Sequence, residues 1–109
     1  MIYTKDNPKL VKFYAYFEDK EIFTGVVKDE HNTIAYYING KLHRTDGPAI
    51  EEFDGEKCWY LNGKLHREDG PAVEEYDGEG WYLNGKYYGR DDDFTNESWI
   101  RFVRLELLK

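Results

Sequence analysis

The chain has 109 residues, enough for one domain and too few to enclose a large core. Aromatic residues make up 17% of it while the mean hydropathy is -0.84, which points to aromatic surfaces on polar strands and away from an aliphatic interior. The formal charge of -7, from 22 acidic and 15 basic residues, argues against direct nucleic-acid binding, which needs clustered Lys and Arg. The single cysteine, Cys58, leaves no disulfide to form within the chain and fits a reducing compartment. Met1 to Pro8 is polar and no stretch approaches the length of a membrane span, so the expected location is cytoplasmic and no membrane partner is expected.

Taken in chain order, residues 10–35 read as N-terminal hairpins, a degenerate version of the repeat that follows. Strands are expected at Leu10 to Phe17 and at Glu21 to Val27, with turns at Glu18-Asp19, Thr24-Gly25 and His31-Asn32.

Residues 36–90 form the repeat array. Tyr36 begins YYINGKLHRTDGPAIEEFDGEKC, Trp59 begins WYLNGKLHREDGPAVEEYDGEG, and Trp81 begins WYLNGKYYGRDDD, which starts the same unit and departs from it. Asn-Gly occurs at Asn39-Gly40, Asn62-Gly63 and Asn84-Gly85. Asp-Gly occurs at Asp46-Gly47, Asp54-Gly55, Asp69-Gly70 and Asp77-Gly78. Both dipeptides suit hairpin turns of type I′. Their spacing leaves about five or six residues per strand, so the chain is expected to be an antiparallel meander. Pro48 and Pro71, lacking an amide hydrogen, belong at strand starts or edges.

Residues 95–109 leave the repeat. Thr95 or the Asp91-Asp92-Asp93 run can cap a helix from about Asn96 to Leu108, with Trp99, Phe102, Val103 and Leu107 on one face. A repeat array needs its last unit covered, and capping the sheet is the role this helix is expected to play. The expected fold is therefore a single, mainly β domain: an elongated antiparallel hairpin-repeat meander with a C-terminal capping α-helix.

The string WYLNGKLHREDGPA, Trp59 to Ala72, resembles a MORN-like repeat variant found in small bacteriophage and large-virus proteins. The resemblance covers about half the chain, Tyr36 to Gly89. It implies a row of β-hairpins, an interaction role and a phage or viral source, hence the cytoplasm of a host cell. The chain lacks the usual glycine-rich consensus and a basic face, which sets it apart from members that associate with lipids. A weaker likeness links the aromatic hairpins to choline-binding and glucan-binding repeats of bacterial surface proteins.

No catalytic, metal or cofactor site is expected. His43 and His66 recur at one repeat position, as a structural device would and a single active centre would not. Adjacent strand residues face opposite ways, so the pairs Glu51-Glu52 and Glu74-Glu75 cannot each converge on one substrate. The Asp91-Asp93 run lacks the glycine and distal glutamate of a calcium loop and reads as a solvated approach to the helix. Cys58 aligns with Ala35 and Gly80, a small-residue position.

The aromatics are the binding candidates. Tyr36, Trp59 and Trp81 align, and with Ile38, Leu61 and Leu83 they are expected to build the core. Tyr37, Tyr60 and Tyr82 then form an accessible ladder on the opposite face. With Glu51, Glu52, Glu74 and Glu75 they are the expected partner-binding residues. The expected function is non-enzymatic protein interaction of phage or viral type, with inhibition of a host defence or nuclease system, anti-CRISPR or anti-restriction in kind, as its specific form. The expected partner is a host protein with a basic surface, bound by a monomer or homodimer. The rival expectation is a small-ligand module holding a carbohydrate or quaternary amine between aromatic hairpins.

Overall fold

The structure of the protein is a computed structural model, and it describes residues 24–109. The expected strand at Leu10 to Phe17, the Glu18-Asp19 turn and the start of the second strand lie outside the described residues. Thr24-Gly25 is not a turn. Gly25 opens the first strand, paired with Tyr37, and the Thr24 hydroxyl accepts the Asn39 amide at 3.0 Å.

Ten short strands follow: β1 (Gly25–Lys28), β2 (Ile34–Ile38), β3 (Lys41–Leu42), β4 (Ile50–Glu51), β5 (Lys57–Cys58), β6 (Tyr60–Leu61), β7 (Lys64–Leu65), β8 (Val73–Glu75), β9 (Gly78–Leu83) and β10 (Lys86–Arg90). The main antiparallel sheet runs β1-β2-β4-β5-β8-β9-β10, with β3 folded back on β2 and β6–β7 as a separate ladder. A 3-10 turn at Asp91–Asp93 and one helix, α1 (Asn96–Leu107), complete the described chain. The fold is thus the expected hairpin meander with its C-terminal helix.

The two turn dipeptides behave differently. Asn39-Gly40, Asn62-Gly63 and Asn84-Gly85 all hold positive φ at both residues, as type I′ turns require. None of the Asp-Gly pairs does so. Gly47 and Gly70 precede prolines, which favour extended backbone before them, and the chain bends there without reversing. At the other two, the turn sits one residue earlier. Glu75 pairs with Gly78 across Tyr76-Asp77, and Glu52 and Glu56 close around Phe53-Asp54, with Gly55 at φ 95° taking up the bulge.

Successive units are joined by a repeated staple. The Nδ1 of His43 accepts the Asn62 amide at 3.0 Å, and that of His66 accepts the Asn84 amide at 3.0 Å. The Gly63 amide donates to the Leu42 carbonyl and the Gly85 amide to the Leu65 carbonyl, both at 2.8 Å. Each histidine thus binds the next unit's turn. His66 is buried, and its Nε2 lies 2.7 Å from Glu68 Oε2, so the neutral ring donates there while accepting at Nδ1.

Each arginine beside these histidines lies over its unit's first aromatic ring. Arg44 stands 4.0 Å from the Tyr36 centroid and Arg67 3.8 Å from that of Trp59. Their Nε groups donate to Asp46 and Asp69 at 2.9 Å, and their terminal nitrogens to the Pro48 and Pro71 carbonyls. This clasp makes the bend that the Asp-Gly-Pro sequence encodes.

The third unit is built otherwise. Gly89 takes the arginine position, and Phe94, with its ring 5.5 Å from Trp81, covers the tryptophan. Thr95 caps α1 through a reciprocal pair with Ser98. Trp99 and Val103 are buried against Trp81 and Leu83, with Tyr88, Phe94 and Phe102 around them. The Asp91-Asp93 run is more than a solvated approach. The Asp91 carboxylate accepts the Glu79 amide at 2.9 Å and its carbonyl accepts the Trp81 indole at 3.0 Å. Leu107, expected on the buried face, is exposed at the last residue of α1.

The expected tryptophan-side core is therefore graded along the array. Trp81 and Leu83 are 2% and 5% exposed, Trp59 and Leu61 are half-buried, and Ile38 is 43% exposed.

Candidate functional site

Strand alternation sorts the expected binding residues into two groups. Tyr37, Tyr60 and Tyr82 share one face, paired with Leu42, Leu65 and Tyr87 respectively. All three tyrosines are half-buried, so the ladder is part of the packing as well as part of the surface. Burial raises the phenol pKa of Tyr37 and, helped by the neighbouring Cys58, Tyr82 and Glu75, that of Tyr60. Tyr60, Tyr82, Tyr87, Cys58 and Glu75 line a shallow groove of about 370 Å³. Burial first, then Glu75, Glu52 and Glu56, pushes the Cys58 thiol up to about 11, so the sulfur stays protonated near neutrality.

Glu51 and Glu74 belong to the other face. Each lies 3.5 Å from its unit's arginine, Arg44 or Arg67, and extends the clasp. Glu52 and Glu75 are exposed and stand at the hairpin ends. The seven expected residues thus do not form one surface.

What does form a surface is the edge where β4 turns into β5 and β8 into β9. Residues 52–57 and 75–79 carry six carboxylates and one lysine, a formal -5. The other 16 acidic and 14 basic residues leave only -2, so this edge accounts for most of the formal charge. The Asn-Gly turns at the opposite edge carry the exposed Lys41, Lys64 and Lys86. On the acidic edge the carboxylates crowd. Ligand atoms of Glu52, Asp54 and Glu56 lie within 4.8 Å of one another, a group chemically able to hold a cation. Lost hydration and then Asp54, Glu52 and Glu75 raise the pKa of Glu56.

Two aromatics project from that edge. Phe53 is 79% exposed and Tyr76 98%, each at the first central position of its turn, from which a side chain points outward. They occupy the same repeat position, two strands apart, which is about 10 Å at normal strand spacing. Sequence reasoning passed over them while treating Asp-Gly as the turn centre. The aligned aromatic before each of the two Asp-Gly-Glu strings was the available signal.

Comparison with protein-family models, with curated proteins and with solved structures found no match. His43 and His66 serve as inter-unit acceptors, and the exposed faces of Tyr36 and Trp59 are met by arginines of the chain itself. No helix among the described residues is long and apolar enough to cross a membrane.

Proposed function

We propose that the protein is a non-enzymatic interaction module that engages a basic surface on another protein through its acidic hairpin edge. The observation that carries this reading is the coincidence, on one edge, of most of the chain's formal charge with two outward aromatic side chains in repeat register. Crowded carboxylates repel one another, and a cationic partner relieves that repulsion. Exposed aromatics add apolar contact at little entropic cost, the usual make-up of an energetic hot spot. Neither Phe53 nor Tyr76 contributes to the buried core.

In its most specific form the partner is a nucleic-acid-handling protein whose basic channel the carboxylates enter in place of phosphates. That form accords with the resemblance to MORN-like repeats of phage and viral proteins and with inhibition of a host nuclease or defence system. The internal arginines already hold the ring faces that a quaternary amine would need, which favours the protein partner over the small ligand.

A tagged pull-down from host lysate at low and high salt, with mass spectrometry, tests the proposal. A defined complex kept at low salt, lost at high salt and weakened about ten-fold or more by Tyr76→Ala is the expected result. A complex indifferent both to salt and to Phe53→Ala and Tyr76→Ala would overturn it.

A further inference from the structure

The array contains two equivalent grooves, and the described residues fill only one of them. Between the second and third units, the Arg67 bend forms one wall and Trp81 with Leu83 the floor. Trp99 of α1 enters there, fully buried, and its Nε1 donates to the Arg67 carbonyl at 2.8 Å. Val103 packs beside it one helical turn further on.

Between the first and second units the corresponding parts are the Arg44 bend, Trp59 and Leu61. They line an open groove of about 660 Å³, within the ordinary size of a binding pocket. The Arg44 carbonyl, counterpart of the Arg67 carbonyl, accepts no hydrogen bond among the described residues. Trp59 and Leu61 remain half-buried where Trp81 and Leu83 are closed over.

The two grooves differ at more than one lining position, and His66 stands in the open one where Tyr88 meets the Trp99 ring edge-on in the other. Arg67 lies on Trp59, whereas Phe94 lies beside Trp81, at the glycine that replaces the arginine. Arg67 therefore takes the place of Phe94. The space that Trp99 takes in the second groove has no counterpart filler in the first among the described residues. A guanidinium edge is itself a good neighbour for an incoming ring.

We propose that the open groove is a docking site for an amphipathic helix of a partner protein. That helix would present a tryptophan to the Arg44 carbonyl and the Trp59 floor as α1 presents Trp99 to Arg67 and Trp81. The motivating precedent is within the molecule: a helix of this kind already seats on the equivalent walls. The groove shares no residue with the acidic edge, and its occupancy does not depend on that reading.

The test uses the whole chain, isotope-labelled for NMR, and a synthetic peptide of residues 91–109 with a covalent staple between the exposed positions 101 and 105. The staple holds the helix, which a peptide this short would not hold alone. The expected result is saturable shifts at the Trp59 indole, Leu61 and Thr45. Affinity should fall about ten-fold or more when the peptide carries Trp99→Ala or the chain carries Thr45→Trp, which fills the groove. Several results would overturn the proposal. One is no shift at all. Another is shifts centred on Trp81 and Leu83, meaning that the peptide displaces the chain's own helix and that the exchange belongs to a second copy. Free indole matching the stapled peptide would mean a small-ligand site instead.

Discussion

His66 and His43 show how much one side chain does in a thin sheet. Each accepts the amide of the following Asn-Gly turn through Nδ1, but only His66 is buried and paired with a carboxylate at Nε2. His66→Ala strands the Asn84 amide in a part-buried site and should cost about 1–3 kcal/mol. His43→Ala should cost clearly less, because water reaches the Asn62 amide. Urea unfolding of the two variants measures the difference, and equal losses would contradict it. The recurrence of histidine marked it as structural from sequence alone. Its partner was not legible, because the acceptor serves a turn 18 or 19 residues further along, a distance that only the stacking of units defines. Cys58 offers a second check at this scale. Its folded pKa is raised from the ordinary 9.0 to about 11, so between those values the unfolded chain has lost a proton that the folded chain retains. Stability should fall as pH rises through that window. Alkylation of Cys58 in the folded chain should follow a midpoint near 11, and a midpoint near 9 would contradict the burial assigned to it.

Among the elements, α1 decides how well the array is closed. Trp99 touches Trp81, Tyr88, Phe94 and Phe102 and bonds to Arg67, so it links the last two units as well as the helix. Trp99→Ala should cost about 3–5 kcal/mol, and loss of the Thr95 cap in Thr95→Ala about 1 kcal/mol. Thermal or urea unfolding checks both, and a tryptophan loss no larger than the cap loss would refute the capping role. The helix was legible in Thr95 and in the apolar spacing of Trp99 and Val103. The Asn-Gly hairpins were legible too, because positive φ at both central residues selects that dipeptide. The Asp-Gly positions were misjudged for a physical reason. One pair of them is drawn into the arginine clasp before a proline. The other pair follows an aromatic that takes the turn itself, with Asp as its second residue.

Across the whole molecule, charge and burial run in different directions. Burial of the tryptophan side rises from the first unit to the third, where α1 covers it, while negative charge gathers along one edge at the hairpin tips. Net charge was visible in the composition. Its confinement was not, since the expected site mixed clasp residues, Glu51 and Glu74, with the free carboxylates Glu52 and Glu75. Strand alternation splits each pair, and the folded structure shows which member joins the clasp. The most direct test compares two variants of equal net charge against the partner recovered by pull-down. In one, Glu52→Gln, Glu75→Gln and Asp77→Asn remove charge from the edge. In the other, Glu30→Gln, Asp92→Asn and Glu97→Gln remove as much from elsewhere. Titration calorimetry at near-physiological salt should find the edge variant weakened about ten-fold or more and the control less than about three-fold. Equal weakening would mean that net charge alone attracts the partner, and an edge variant that binds like the wild type would contradict the acidic edge as the interface.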